Sequence, residues 1–334
     1  MRLGIILFLC LVTHVVYAKQ LKDELFTSSK IVDQSHEVIS GQLHQWIDSV
    51  DQFFGEERVI DRQNSSQFLF RFQTTRYNER LFTEPKIRAR LDLPRTKSRL
   101  RLMLSSDSRG ESSEDLDSPV NALQDGLFDT VNPASFSAAL QFVVTTSELF
   151  DVNTRAGVAY KDGPDPFVSG RASAQTKFLR WNIRATQDAY FYTRQRFGEE
   201  LSLDIERKVF DRVLLRLNNN LNWWQEIGEF ESIQSFSAIV PVTNEFALSF
   251  VGISQQRPEN AWRVENNYLY AVARYRFYRH WAYVQLKPQI EYLRENDFKP
   301  LWSITTGVEF IFGKKRSVEM VEKMEELDRP ERVR

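Results

Sequence analysis

The sequence predicts an all-β fold, a closed antiparallel transmembrane β-barrel of about fourteen strands, with twelve to sixteen allowed. Three observations carry that expectation. Apolar and polar residues alternate with a period of two along many segments, each near the roughly ten residues a barrel strand needs to cross a bilayer. The polar member of the alternation is repeatedly Arg, Asp or Glu rather than Ser or Thr. The connections between segments fall into two alternating classes, one short and one on the whole longer. Barrels sort their loops in this way, with both chain ends on the short-turn side and an even strand number. A soluble β-sandwich reproduces the alternation on its solvated face but has no reason to sort its loops.

The chain opens on Met1-Arg2, a positive start, followed by an apolar run from Leu3 to Val12 broken only by Gly4 and Cys10. Val16-Tyr17-Ala18 then places small residues where a signal peptidase cuts. Residues 1–18 therefore read as a secretory signal peptide cleaved between Ala18 and Lys19, since the apolar run is too short to span a membrane as a helix. Cys10 is the one cysteine of the chain and lies too early for a lipoprotein cleavage site. A cleaved chain without thiols fits a Gram-negative envelope better than a disulfide-stapled secreted domain. With 44 basic against 45 acidic residues, bulk charge favours neither nucleic acid nor an acidic partner.

Residues 19–63 have a different period from the strands. Val38, Ile39, Leu43, Trp46, Ile47, Val50, Phe53 and Phe54 recur at three-to-four spacing, so 31–56 reads as an amphipathic helix. Such a helix either packs on or plugs the barrel mouth on the short-turn side, or binds a partner protein there.

The barrel itself is expected over 64–313, with strands at 66–75, 86–93, 98–105, 136–146, 152–161, 167–175, 178–193, 200–207, 212–222, 231–240, 245–254, 267–277, 281–292 and 301–312. Phe68, Phe70 and Phe72 alternate with Leu69, Arg71 and Gln73. Ile87, Ala89 and Leu91 alternate with Arg88, Arg90 and Asp92, and Leu100, Leu102 and Leu104 with Arg99, Arg101 and Met103. Trp181, Ile183 and Ala185 oppose Arg180, Asn182 and Arg184, while Ala271, Ala273, Tyr275 and Phe277 oppose Val272, Arg274 and Arg276. Trp302, Tyr292 and Phe191 fall toward one membrane interface, and Phe310, Phe312, Tyr275 and Phe277 toward the other. The acidic stretch from Ser105 to Asn132 reads as a solvated loop or a constriction folded into the barrel.

The last strand is the most specific. In Ser303 to Phe312, small or polar Ser303, Thr305, Gly307 and Glu309 alternate with Ile304, Val308, Phe310 and Phe312. This stretch resembles the C-terminal signal strand of bacterial outer-membrane β-barrels. The resemblance implies an outer-membrane location, contact with membrane lipid, and recognition of Gly307, Phe310 and Phe312 by the barrel-insertion machinery. Pro85 to Leu104, with its Arg-Ala-Arg-Leu-Asp-Leu-Pro stretch, is similar to proteobacterial envelope proteins that have no assigned function. In that frame the short turns and the 31–56 helix are periplasmic, as is a charged tail over 314–334. The tail departs from the usual pattern, in which the signal strand ends the chain.

Chemistry-bearing constellations are scarce. His36 and His44 sit on the amphipathic helix and His280 in a short turn, so no strand or long loop offers a histidine to a Ser/His/Asp arrangement. No metal-ligand cluster and no phosphate-cradling glycine loop is evident, so neither cofactor nor metal is expected. What remains is the inward wall, which parity assigns to Arg71, Arg88, Arg90, Arg99, Arg101, Arg180, Arg184, Arg274 and Arg276, with Arg155, Lys161, Arg171, Arg212, Arg216 and Lys287 beside them. Six acids stand against them: Asp92, Asp188, Asp204, Glu206, Glu291 and Glu309. Arginine facing lipid at mid-membrane costs roughly 2–4 kcal/mol, so these charges must line water or one another. The expectation is a non-enzymatic pore or transport barrel with an arginine-rich lumen, against a salt-bridged scaffold whose helix docks a partner, or a soluble periplasmic β-sandwich.

Overall fold

The computed structural model describes residues 66–313 apart from 78–79, 94–98, 107–135, 148, 161–162, 179, 195, 211, 226–227, 229, 258–262 and 279–280, together with Val50, Phe53 and Phe54. The signal stretch, most of the amphipathic helix, the acidic 107–132 loop, His280 and the 314–334 tail lie outside these residues.

Alternation becomes fourteen strands: β1 (Gln67–Tyr77), β2 (Arg80–Asp92), β3 (Leu100–Ser105), β4 (Phe136–Thr146), β5 (Phe150–Tyr160), β6 (Pro164–Phe178), β7 (Trp181–Tyr192), β8 (Arg196–Val209), β9 (Val213–Trp224), β10 (Phe230–Pro241), β11 (Phe246–Arg257), β12 (Arg263–Tyr278), β13 (Ala282–Leu293) and β14 (Pro300–Gly313). Each pairs antiparallel with its sequence neighbours, and β1 pairs β14, so the sheet closes into a barrel without edges. The closing register runs Phe68 to Phe312, Phe70 to Phe310, Arg71 to Glu309 and Thr75 to Thr305. Lipid-side rings meet lipid-side rings across this seam, and lumen-side charges meet lumen-side charges. Closure overturns the sandwich alternative.

Most strands run farther than their alternation. β2 begins at Arg80 rather than 86, β8 at Arg196 rather than 200, and β12 at Arg263 rather than 267. The longer loops shrink accordingly, from Lys161–Pro166 to 161–163 and from Gln255–Asn266 to 258–262. Backbone pairing continues where the strands rise past the lipid, but both faces then meet water and the period-two pattern lapses. Pro85 marks this change in β2. It sits beyond the last β2–β3 pair, Arg88 with Ser105, where the missing N–H has no ladder on that side to interrupt. A bulge between Gln255 and Gln256 accommodates the extra residue of β12.

Aromatic residues gather at both ends of the outward face. Trp281 lies 5.4 Å from Phe312 and 6.0 Å from Phe310 between ring centroids, near the rim where the barrel begins and ends. Exposed Phe191 and Trp302 mark the opposite end. This matches the girdles that amphipathic rings make at lipid headgroups.

Toward the far rim, Phe167, Tyr190, Tyr192 and Trp224 point inward and bury one another, with Tyr190 and Trp224 centroids 4.5 Å apart. Gly198 permits that contact, because a Cβ there would clash with Tyr190 Cε2 and lie 2.8 Å from Trp224 Cε3. Gly198→Val is therefore expected to cost about 1–3 kcal/mol by overpacking. The check is a lower temperature for loss of the compact band in a detergent gel. An unchanged temperature would mean that the cluster yields freely.

Candidate pore lumen

The lumen wall is set by strand parity, and the structure sorts the predicted arginines by it. Arg71, Arg90, Arg101, Arg184 and Arg274 are inward and buried, and Arg88 and Arg276 are inward and half-buried. Arg155, Arg171 and Arg216 join them as buried inward residues. Arg99 and Arg180 lie beyond the strand ends. Arg99 precedes β3 and Arg180 lies in the turn between β6 and β7, both exposed, as is Arg212 in the next turn of that rim. Parity extends through a turn on paper, but for Arg180 and Arg212 the strand that would aim the side chain has already ended, whereas the Arg99 carbonyl still accepts from the Val143 amide at 2.8 Å.

The acids also need correction. All six expected carboxylates face inward, and Asp188, Asp204, Glu206, Glu291 and Glu309 are buried. Glu200, Asp165 and Glu84 face inward too, beyond the six expected. Glu200 shares the parity of Asp204 and Glu206, one position from where the alternation of β8 is expected to begin. Asp165 accepts hydrogen bonds from Thr193 Oγ1 at 2.7 Å and the Arg194 amide at 2.9 Å, fastening the turn between β7 and β8. The excess of basic over acidic groups is therefore smaller than parity suggests.

Charge is unevenly spread around the wall, with basic groups in excess on β1 to β6 beside Glu84, Asp92, Asp151 and Asp165, and acids in excess on β7 to β9 beside Arg184 and Arg216. Strands β1 to β6 carry Arg71, Arg88, Arg90, Arg101, Arg155 and Arg171. Strands β7 to β9 carry Asp188, Glu200, Asp204 and Glu206 with Asn218 and Asn220 beside them. Strands β10 to β13 present an apolar stripe of Ile233, Val251, Ile253, Tyr268, Tyr270 and Leu293. Where the sectors meet, Arg171 pairs with Asp188 at 3.9 Å, and within the basic sector Arg101 of β3 pairs with Asp92 of β2 at 3.2 Å. On the acidic side, Arg216 Nε donates to Glu206 at 2.6 Å while Asn182 donates to its other oxygen at 2.7 Å. At the seam Glu309 accepts from Arg71 Nε at 2.5 Å and also pairs with Arg274. The Arg274 guanidinium lies over the Tyr283 ring at 4.4 Å. Such pairing satisfies charges that lipid would not tolerate.

Gly307, inward and opposite Gln73 and Gln285, leaves room for both side chains. Phe310 and Phe312 point outward, as the terminal-strand pattern requires. Among the described residues no group of three His, Cys, Asp or Glu is placed to hold a metal ion.

One feature of the lumen is absent from the sequence expectation. Near the terminal rim the inward positions turn apolar: Leu214, Ile239, Ala247 and Ile311 join Tyr283, and Val50, Phe53 and Phe54 pack against them. The signal is present in Val213-Leu214-Leu215, Ala238-Ile239-Val240 and Phe310-Ile311-Phe312, where both strand faces are apolar at once. Of the eight apolar helix positions, these three are described, and all three contribute to this packing.

Fold and wall together define a membrane-type barrel, with apolar residues and aromatic girdles facing lipid and charges facing the lumen. No family model and no curated protein matches the sequence, so the similarity of Pro85–Leu104 to envelope proteins finds no support there. Among solved structures the chain is similar to OmpT, an outer-membrane protein of Vibrio cholerae, at 11% identity over 75% of this chain and 98% of that one, with a TM-score of 0.41. It is similar to the outer-membrane channel DcaP of Acinetobacter baumannii at 8% identity over 74% and 96%, with a TM-score of 0.40. It is also similar to the KdgM porin in complex with oligogalacturonate at 7% identity over 74% and 99%, with a TM-score of 0.36.

Proposed function

We propose that this chain is a pore of the Gram-negative outer membrane, exported by its first eighteen residues, that passes small anionic solutes along the arginine sector of its lumen. One observation carries the reading: six arginines on five of the strands β1 to β6 face inward. Four inward acids, Glu84, Asp92, Asp151 and Asp165, stand among these basic groups without matching them in number, and four more, Asp188, Glu200, Asp204 and Glu206, gather on β7 and β8, so that a field runs across the lumen from one sector to the other. An anion entering such a lumen follows the basic side. The barrel performs no bond chemistry in this reading.

The second reading is a scaffold, favoured by the way Glu309 is held between Arg71 and Arg274. The test begins with protein extracted from the outer-membrane fraction, and its absence there ends the proposal. In planar bilayers at low salt the parent is expected to favour anions, with the preference shrinking as screening rises. Arg88→Gln with Arg90→Gln, both lumen-facing, should lower the anion-to-cation permeability ratio at least about twofold while the barrel stays folded. Cation selectivity in the parent would refute the basic-path reading. Silence in all variants, coupled with lost stability, would favour the scaffold.

A further inference from the structure

The inner wall of a water-filled barrel has no reason to be apolar, yet at the terminal rim it is. Leu214 of β9, Ile239 of β10, Ala247 of β11, Tyr283 of β13 and Ile311 of β14 all face inward at that level. Exposed to water, such a collar would be a standing cost. It is covered by side chains from ahead of β1. Val50, Phe53 and Phe54 are helical, Val50 and Phe53 are 0% exposed, and Phe53 sets its edge against Tyr283 with centroids 5.6 Å apart. Phe53 also meets Phe54 edge-on at 5.6 Å. The Tyr283 ring also carries Arg274, which Glu309 holds. The seat is thus tied to the ion-pair node at the barrel seam.

We propose that Val50, Phe53 and Phe54 form the seated face of a plug that shuts the periplasmic mouth, and that solute passes only when these side chains leave the collar. What the plug shuts depends on the pore reading, whereas the seat itself does not. Helix periodicity in this segment and both-face apolarity at five inward positions are the two halves of one contact. A partner protein that used the same helix face would have to withdraw the plug to bind it.

Two measurements test this separately. The first places Phe53→Cys and Tyr283→Cys in the full-length chain and treats membranes with a short, reducible bismaleimide. Cys10 lies in the stretch read as a cleaved signal, so no native thiol competes. Crosslinking confirms the seat, and failure to crosslink in a heat-modifiable barrel overturns it. The second compares single-channel records of the parent and Phe53→Asp, a charge the apolar collar cannot accept. Open probability is expected to rise at least about tenfold in Phe53→Asp, and the crosslinked double-cysteine protein should stay silent until reduced. Parent-like opening in Phe53→Asp, or current through the crosslinked barrel, overturns the plug. Crosslinking with silence in every variant would keep the seat and reject the pore. Anion current with no crosslink would keep the pore and reject the seat.

Discussion

Glu309→Ala is expected to remove about 3–5 kcal/mol of barrel stability, the cost of stranding buried cations when their shared counter-charge is deleted. Glu309 is 1% exposed and Arg274 1%, so water cannot replace the lost carboxylate. Arg71 on β1 is buried as well, and its Nε donates to Glu309 at 2.5 Å. The position makes the loss larger than that of an ordinary pair. Glu309 stands on β14, opposite Arg71 across the seam that closes the barrel, and reaches past β13 to Arg274 on β12. One carboxylate therefore ties three strands at the point where the sheet meets itself. Glu309→Gln keeps hydrogen-bond acceptance but not charge, and should fall between the parent and Ala. Urea unfolding of the refolded barrel in detergent gives the measurement. A midpoint shared by all three proteins would show that the two arginines find other partners and that the node holds nothing.

Only part of this node is legible in the sequence. Parity puts Arg71, Arg274 and Glu309 on the inward face, because each strand has lipid on one side. Lipid tolerates no ambiguity about which residues face it. The pairing of Arg71 with Glu309 requires the register of β1 against β14, which depends on closure and on no local pattern. Strand number is readable for the same reason as parity, since each crossing must show a lipid-facing alternation.

Strand ends are not readable. Residues 80–85 of β2 pair with β1 above the apolar band, where water bathes both faces and Thr83, Glu84 and Pro85 look like a loop. Arg180 differs in the opposite way, because counting by two runs on into a turn, where no strand aims the side chain. The apolar collar escapes notice because inward positions are expected to be polar. A lumen-facing Leu214 or Ile311 looks like a lapse in the pattern until the helical side chains that cover it are in place. The amphipathic period of 31–56 allows either a plug or a docking surface, and its own sequence contains nothing that chooses between them. The apolar surface that Val50, Phe53 and Phe54 meet is spread over five inward positions far away in the chain.

The last strand yields the second large effect. Phe310 and Phe312 face lipid across the seam from Phe70 and Phe68, at centroid distances of 6.4 Å and 6.2 Å, and Trp281 stacks on Phe312 from β13's side. Replacing both by Ala removes two large apolar side chains and their ring pairs, a loss of about 3–5 kcal/mol from burial and aromatic contact together. That loss should appear in lipid vesicles without any cellular machinery. The resemblance of Ser303–Phe312 to an insertion signal adds a second expectation, specific to cells. Phe68→Ala with Phe70→Ala deletes the opposite members of the same ring pairs and leaves the terminal strand intact. If the girdle alone matters, the two double variants should lose stability and outer-membrane abundance in parallel. If the terminal rings are also read during assembly, the Phe310/Phe312 variant should fall several-fold further in outer-membrane abundance while refolding in vesicles no worse than its β1 counterpart. Equal abundance in cells would confine Phe310 and Phe312 to holding the seam and the interface, and normal abundance of both variants would remove even that.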